Sequence, residues 1–97
     1  MLSKVEDELE LLERHVKVLQ LVLKNEPIGI IKLSELSGIP QHKIRYSLRM
    51  LEQNGIIKPS PQGAVTTRKA TKFIEALPKR LEELIDKVGK TKKLVGV

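Results

Sequence analysis

The stretch Leu33–Ile57, LSELSGIPQHKIRYSLRMLEQNGII, constrains this chain more than any other. Gly38 breaks a short helix and supplies a tight turn. Pro40 then stands where a second helix begins, its φ preset and its missing N–H costing nothing. Ile44, Leu48 and Leu51 follow at four- and three-residue steps, one buried face of a helix over residues 40–53. Leu33 and Leu36 are expected to turn the shorter helix toward the same core. The opposite face of the longer helix carries Gln41, His42, Lys43, Arg45, Tyr46 and Arg49. Asn54 and Gly55 close it, because both tolerate the left-handed backbone of a C-terminal cap.

Two helices joined by a glycine turn, the second apolar inside and basic outside, suit a DNA major groove. The joint spacing of Leu33, Leu36, Gly38-Ile39, Ile44, Leu48, Leu51 and Asn54-Gly55-Ile56-Ile57 resembles the helix-turn-helix of winged-helix transcription regulators, particularly small archaeal and MarR-like ones. The resemblance spans about residues 13–71. It departs from the pattern at Pro40, where a Ser or Thr often stands, so a hydroxyl for capping or phosphate contact is missing. It implies an α+β fold, mostly α with a small β-hairpin: a winged helix-turn-helix flanked by long N- and C-terminal helices. It further implies a cytoplasmic regulator of transcription whose partner is double-stranded DNA, and it defines no operator and no small-molecule effector.

The rest of the chain is consistent with one such unit. Ser3 and Glu6 have the spacing of a capping box for a helix over residues 1–24. Leu2, Val5, Leu9, Leu12, Val16, Leu19 and Leu23 form a heptad seam along it. A small core covers only its second half, so Leu2, Val5, Leu9 and Leu12 need another partner. Asn25-Glu26-Pro27 stops the helix, and Ile30-Ile31-Lys32 reads as a short edge strand. The helix-turn-helix then occupies residues 33–58. Ile56-Ile57-Lys58 and Ala64-Val65-Thr66 are paired strands of a wing over residues 56–66, with Pro61 and Gly63 in its turn. Lys58, Gln62 and Arg68 are placed to touch the phosphate backbone or the adjacent minor groove, and Lys32 to hold a phosphate. A plain hairpin that only closes the core is the alternative.

Thr66 or Thr67 caps the last helix, residues 67–88. Ala70, Ile74, Leu77, Leu81, Leu84 and Val88 form its stripe, widened by Phe73 and Ile85. Pro78 either bends this helix or splits it. Gly89 is expected to end it, leaving a basic tail over 89–97. Leu77, Leu81 and Leu84, with Leu2, Val5, Leu9 and Leu12, are the candidate dimerisation residues of a homodimer. Arg80 and Lys87 flank the stripe and suit Glu6, Glu8 or Glu13 of the first helix, whereas parallel self-pairing of the first helix would oppose like charges. Alternatively, the same seam serves a winged-helix protein–protein interaction adaptor.

Charge supports the nucleic-acid reading. Residues 1–26 carry net −2, residues 27–66 net +3 and residues 67–97 net +5. Positive charge therefore begins at the helix-turn-helix and continues beyond it. Of 97 residues, one is Tyr and one Phe, so the core must be aliphatic and single-strand stacking platforms are lacking. The absence of cysteine excludes disulfides and Cys-based zinc sites. No apolar run reaches a membrane-spanning length, and the first residues lack a signal-peptide pattern. No catalytic motif, metal-ligand spacing or cofactor fingerprint occurs, so an enzyme is not expected. His15 lies beside the seam and reads as a partly buried structural residue.

Overall fold

The computed structural model describes residues 1–96. Its elements run α1 (Leu2–Asn25), α2 (Ile30–Ser37), α3 (Gln41–Gln53), β1 (Ile57–Ser60), β2 (Gly63–Thr66) and α4 (Arg68–Val95). The fold is mostly helical with one antiparallel hairpin, as the sequence implies.

The core is aliphatic. Val18, Leu19 and Val22 of α1 meet Leu33 of α2, Ile44 and Leu51 of α3, Ile56 and Ile57 at the foot of the wing, Ile28, and Ala70 of α4. The buried face of α1 is therefore rotated from the heptad seam: Val18 and Val22 are fully buried, whereas the seam residues Val16 and Leu23 are only half-buried. Leu36, expected in the core, is 48% exposed. Helix α2 has just eight residues, and Leu33 fills its one core position while Leu36 turns outward.

Several element boundaries differ from the sequence reading, the wing strands among them: they run Ile57–Ser60 and Gly63–Thr66 rather than 56–58 and 64–66. Helix α1 starts at Leu2 with Met1 at the N-cap and no side-chain cap bond, so the Ser3–Glu6 box does not form. The apolar repeat begins at Leu2, and it carries the helix past both residues. Ile30-Ile31-Lys32 is the first turn of α2, not a strand. Strand pairing is taken instead by Ile28, which exchanges two backbone bonds with Ala64 (3.2 and 2.8 Å). Gly29 then accepts from Leu33 N and starts the helix. Finally, α4 runs unbroken through Pro78 and past Gly89 to Val95. Lysines and leucine after Gly89 are good helix formers, and Lys92 and Lys93 in the last turn complement the helix dipole. Residues 89–95 of the stretch read as a tail are thus helical, with Gly96 as the C-cap; Val97 lies outside the described residues.

The wing is tight. Ser60 pairs with Gly63, so only Pro61 and Gln62 form its tip. Gly63 has φ +135°, and a Cβ there would lie 2.4 Å from the carbonyl carbon of Ile28. Only glycine lets Ile28 approach β2 so closely. At the wing's base, Thr66 N–H and hydroxyl both donate to Glu26 Oε1 (2.8 and 2.9 Å), while Thr67 caps α4 by accepting from Lys69 N. The radius of gyration is 15.7 Å, above the roughly 13 Å of a compact domain of this length, because α1 and α4 project beyond the core.

Candidate nucleic-acid interface

Helix α3 is fixed at both ends by backbone geometry. Gly38 takes φ +74° and donates to Ser34 O, closing α2. Ser34 and Ser37 hydroxyls bind the turn: Ser34 Oγ donates to Ile39 O (2.6 Å), and Ser37 Oγ accepts from Ile39 N (3.0 Å). Pro40 occupies the N-cap position, and its carbonyl accepts from Lys43 N and Ile44 N. Asn54 and then Gly55 end the helix as the sequence indicates.

Ile44, Ser47 and Leu51 are buried, with Leu48 half-buried beside them. At about 100° per residue, the direction opposite that face falls on His42 and Arg49, flanked by Arg45 and Tyr46. Gln41, His42, Lys43, Arg45 and Arg49 are all exposed. Among the described residues none of these cations has a carboxylate within ion-pair distance; the three ion pairs are Glu13–Lys17, Lys32–Glu35 and Arg80–Glu83. All three pairs are solvent-exposed and contribute little.

The structure divides the sequence-derived site residues into groups. Lys32, Gln41 and Arg45 line one shallow concavity between α2 and α3, with Glu35 at its rim. Arg45 and Arg49 line the next, beside Glu52. Lys58 is exposed on β1, Gln62 stands at the wing tip, and Arg68 is exposed at the start of α4. Tyr46 departs from a purely outward placement. It is 40% exposed and its ring centre lies 5.9 Å from that of His15 on α1.

Ser47 was not singled out from sequence. It is fully buried, and its hydroxyl lies 2.7 Å from His15 Nδ1. A serine one position off the Ile44/Leu48/Leu51 stripe gives no signal of burial until its partner on α1 is known. Burial holds the His15 pKa below its usual value, with a smaller contribution from the Arg14 charge. His15 is thus a neutral, structural contact between α1 and α3.

The dimerisation candidates occupy the projecting parts. Leu2, Val5, Leu9 and Leu84 are 73%, 53%, 52% and 45% exposed; Leu12, Leu77 and Leu81 are half-buried. The first half of α1 and the middle of α4 do not close on each other. They border an open groove of about 670 Å³ lined by Val5, Leu9, Leu12 and Leu84. A smaller recess follows beside Phe73, Leu77 and Leu81. Arg80 pairs with Glu83 on its own helix rather than with an acid of α1.

A helix-turn-helix whose second helix is followed by a two-stranded arm defines the winged-helix class of transcription regulators. Within it, the sequence matches the family model "Sugar-specific transcriptional regulator TrmB" over residues 5–80, and the chain belongs to that family. The structure is similar to the activation domain of the phage T4 transcription factor MotA, with a TM-score of 0.62 and 18% identity over 78% of this chain and 82% of that one. That likeness is one of fold. No curated protein matches the sequence. No helix among the described residues is long and apolar enough to cross a membrane, and no cluster of potential ligands there is suited to a metal ion.

Proposed function

We propose that the chain binds double-stranded DNA sequence-specifically as a homodimer and thereby regulates transcription. Each α3 enters a major groove, and the two half-sites of a pseudo-palindrome lie about 34 Å apart, one helical turn. Arg45 and Arg49 contact bases or phosphates, with Gln41, His42, Lys43 and Tyr46 around them. Lys32, Lys58, Gln62 and Arg68 hold the backbone. The observation that carries this reading is the outer face of α3: exposed, basic, and free of internal ion pairs among the described residues. Membership of a family of transcription regulators supports it. The terminal helices supply the dimer seam, because their exposed leucines have no cover among the described residues.

Selection of bound duplexes from a random pool, followed by affinity measurements across a salt series, tests the proposal. A protein neutralising several phosphates loses affinity steeply as salt rises. Arg45→Ala and Arg49→Ala should each weaken the selected site by about 1–3 kcal/mol. Both side chains are exposed, so the circular dichroism spectrum should not change. Binding that is insensitive to salt and to both substitutions would refute the assignment. Failure to retain duplex DNA at low salt would favour a protein adaptor built on the same seam.

A further inference from the structure

Tyr46 is the sole tyrosine of the chain, and it stands at the edge of the basic face of α3. His42 precedes it by four residues and Arg49 follows it by three, so the two flank it along the helix surface. Tyr46 is 40% exposed. On its other side the ring leans on His15 of α1, with ring centres 5.9 Å apart and planes at 40°, within the range over which tilted rings attract. The imidazole is itself fastened. Its Nδ1 lies 2.7 Å from the hydroxyl of Ser47, which is fully buried and has no other partner among the described residues. A buried hydroxyl needs an acceptor, so Ser47 donates to Nδ1 and the imidazole hydrogen resides on Nε2. Behind α3, the imidazole borders a concavity of about 350 Å³ lined also by Leu12, Met50, Lys69 and Phe73. Without the bond from Ser47 the ring has room to turn into that space. A contact that merely stapled α1 to α3 would end at Ser47; this one extends to Tyr46 and so to the outer face.

We propose that Tyr46 reads the 5-methyl group of a thymine in each half-site, and that His15 is the positioning residue that holds the phenol ring for it. The inference rests on the DNA-binding reading above. The thymine methyl is the apolar mark of the major groove and is met by apolar side-chain surface. Gln41, His42, Lys43, Arg45 and Arg49 offer hydrogen-bonding groups, whereas Tyr46 alone on this face offers a broad apolar ring. A loosely hinged ring meets the methyl in a fraction of its rotamers and loses that freedom on binding. A ring already stopped by an imidazole has less to lose.

Duplexes selected from a random pool by the full chain are resynthesised with deoxyuridine in place of thymidine, one symmetry-related pair at a time, which removes the methyl alone. At one pair the affinity should fall about fourfold per half-site. Tyr46→Ala should bind the thymidine and deoxyuridine duplexes of that pair alike, and Tyr46→Phe should discriminate as the parent does. His15→Asn removes the ring but places an amide oxygen near the position of Nδ1, where it can still accept from Ser47. It should lose discrimination at the same pair. His15→Phe combined with Ser47→Ala restores a ring without stranding the hydroxyl, and should restore discrimination. A merely structural His15 would lower affinity for both duplexes equally. In the free chain, which has no tryptophan, fluorescence anisotropy reports Tyr46 alone and should fall in His15→Asn. Four results overturn the inference: no deoxyuridine-sensitive pair, a penalty that persists in Tyr46→Ala, a penalty lost in Tyr46→Phe, or full discrimination in His15→Asn. A selected duplex indifferent to deoxyuridine leaves the DNA-binding reading intact. A chain that selects no duplex refutes both.

Discussion

Truncating Leu9 and Leu84 together to alanine isolates the dimer seam from the fold. Leu9 is 52% and Leu84 45% exposed in the single chain, and both border the open groove between α1 and α4. Full burial of a leucine side chain contributes about 1.5–3 kcal/mol, so covering the remaining half contributes about 1 kcal/mol per side chain. A two-fold dimer buries each of these residues twice. Removing all four side chains should therefore weaken association by roughly 3–5 kcal/mol, or about 10²–10⁴-fold in the dissociation constant. The monomer should lose little, because these atoms already face solvent and helix propensity favours alanine. Sedimentation equilibrium over a concentration series gives the association constant, and circular dichroism gives the helix content. A parent chain that dimerises at micromolar concentration and a variant that does not, with equal helicity, is the expected pair of results. A variant that dimerises as tightly as the parent refutes the reasoning. So does one that becomes monomeric only by losing its helices, since the leucines would then belong to the core.

Three further expectations follow from the fold. Gly63→Ala places a Cβ 2.4 Å from the Ile28 carbonyl carbon at φ +135°. Backbone strain and loss of the two Ile28–Ala64 bonds should cost about 3–5 kcal/mol and lower the melting temperature by roughly 15 °C or more, read by thermal denaturation. His15 has a lowered pKa in the folded chain, so the unfolded chain takes up the proton first as pH falls. Its contribution to stability is complete above about pH 6.5 and is lost as pH drops through the window below that value; urea unfolding from pH 7.5 to 5 should show this slope, and His15→Phe should remove it. His15→Ala should cost more than Ser47→Ala in the same assay, by about 1–2 kcal/mol. The first leaves a buried hydroxyl unsatisfied, whereas the second leaves a half-exposed ring that water can reach.

What the sequence made legible was whatever local periodicity and turn chemistry control. The Gly38 break, the Ile44/Leu51 face of α3 and the Asn54-Gly55 stop each follow from neighbouring residues, and each stands where the pattern puts it; the wing is where the sequence puts it but its turn is shorter than the Pro59–Gly63 stretch suggests, because Pro59 and Ser60 pair with Ala64 and Gly63. The misreadings have long-range causes. Ile30-Ile31-Lys32 is as β-branched as a strand, but the one vacant edge beside β2 is already taken by Ile28. The heptad seam of α1 is real as a pattern, yet the core selects Val18 and Val22 from its flank, leaving the first half of the seam uncovered. Gly89 is a poor helix former that the helix on either side carries through. The basic face of α3 could be assembled from spacing alone. The cavity behind it could not, because Leu12, Lys69 and Met50 come together only through the packing of three helices.

The bond between Glu26 and Thr66 makes a mechanical linkage of two elements with separate tasks. Glu26 follows the last residue of α1, and its carboxylate grips both the amide and the hydroxyl at the base of the wing. Two residues later Ile28 is laced to the same strand. The arm is therefore pinned to the end of α1 like the blade of a crank, at the carboxylate of Glu26 and the backbone of Ile28. Glu26→Ala would loosen the crank at its pin while leaving both the arm and the shaft intact.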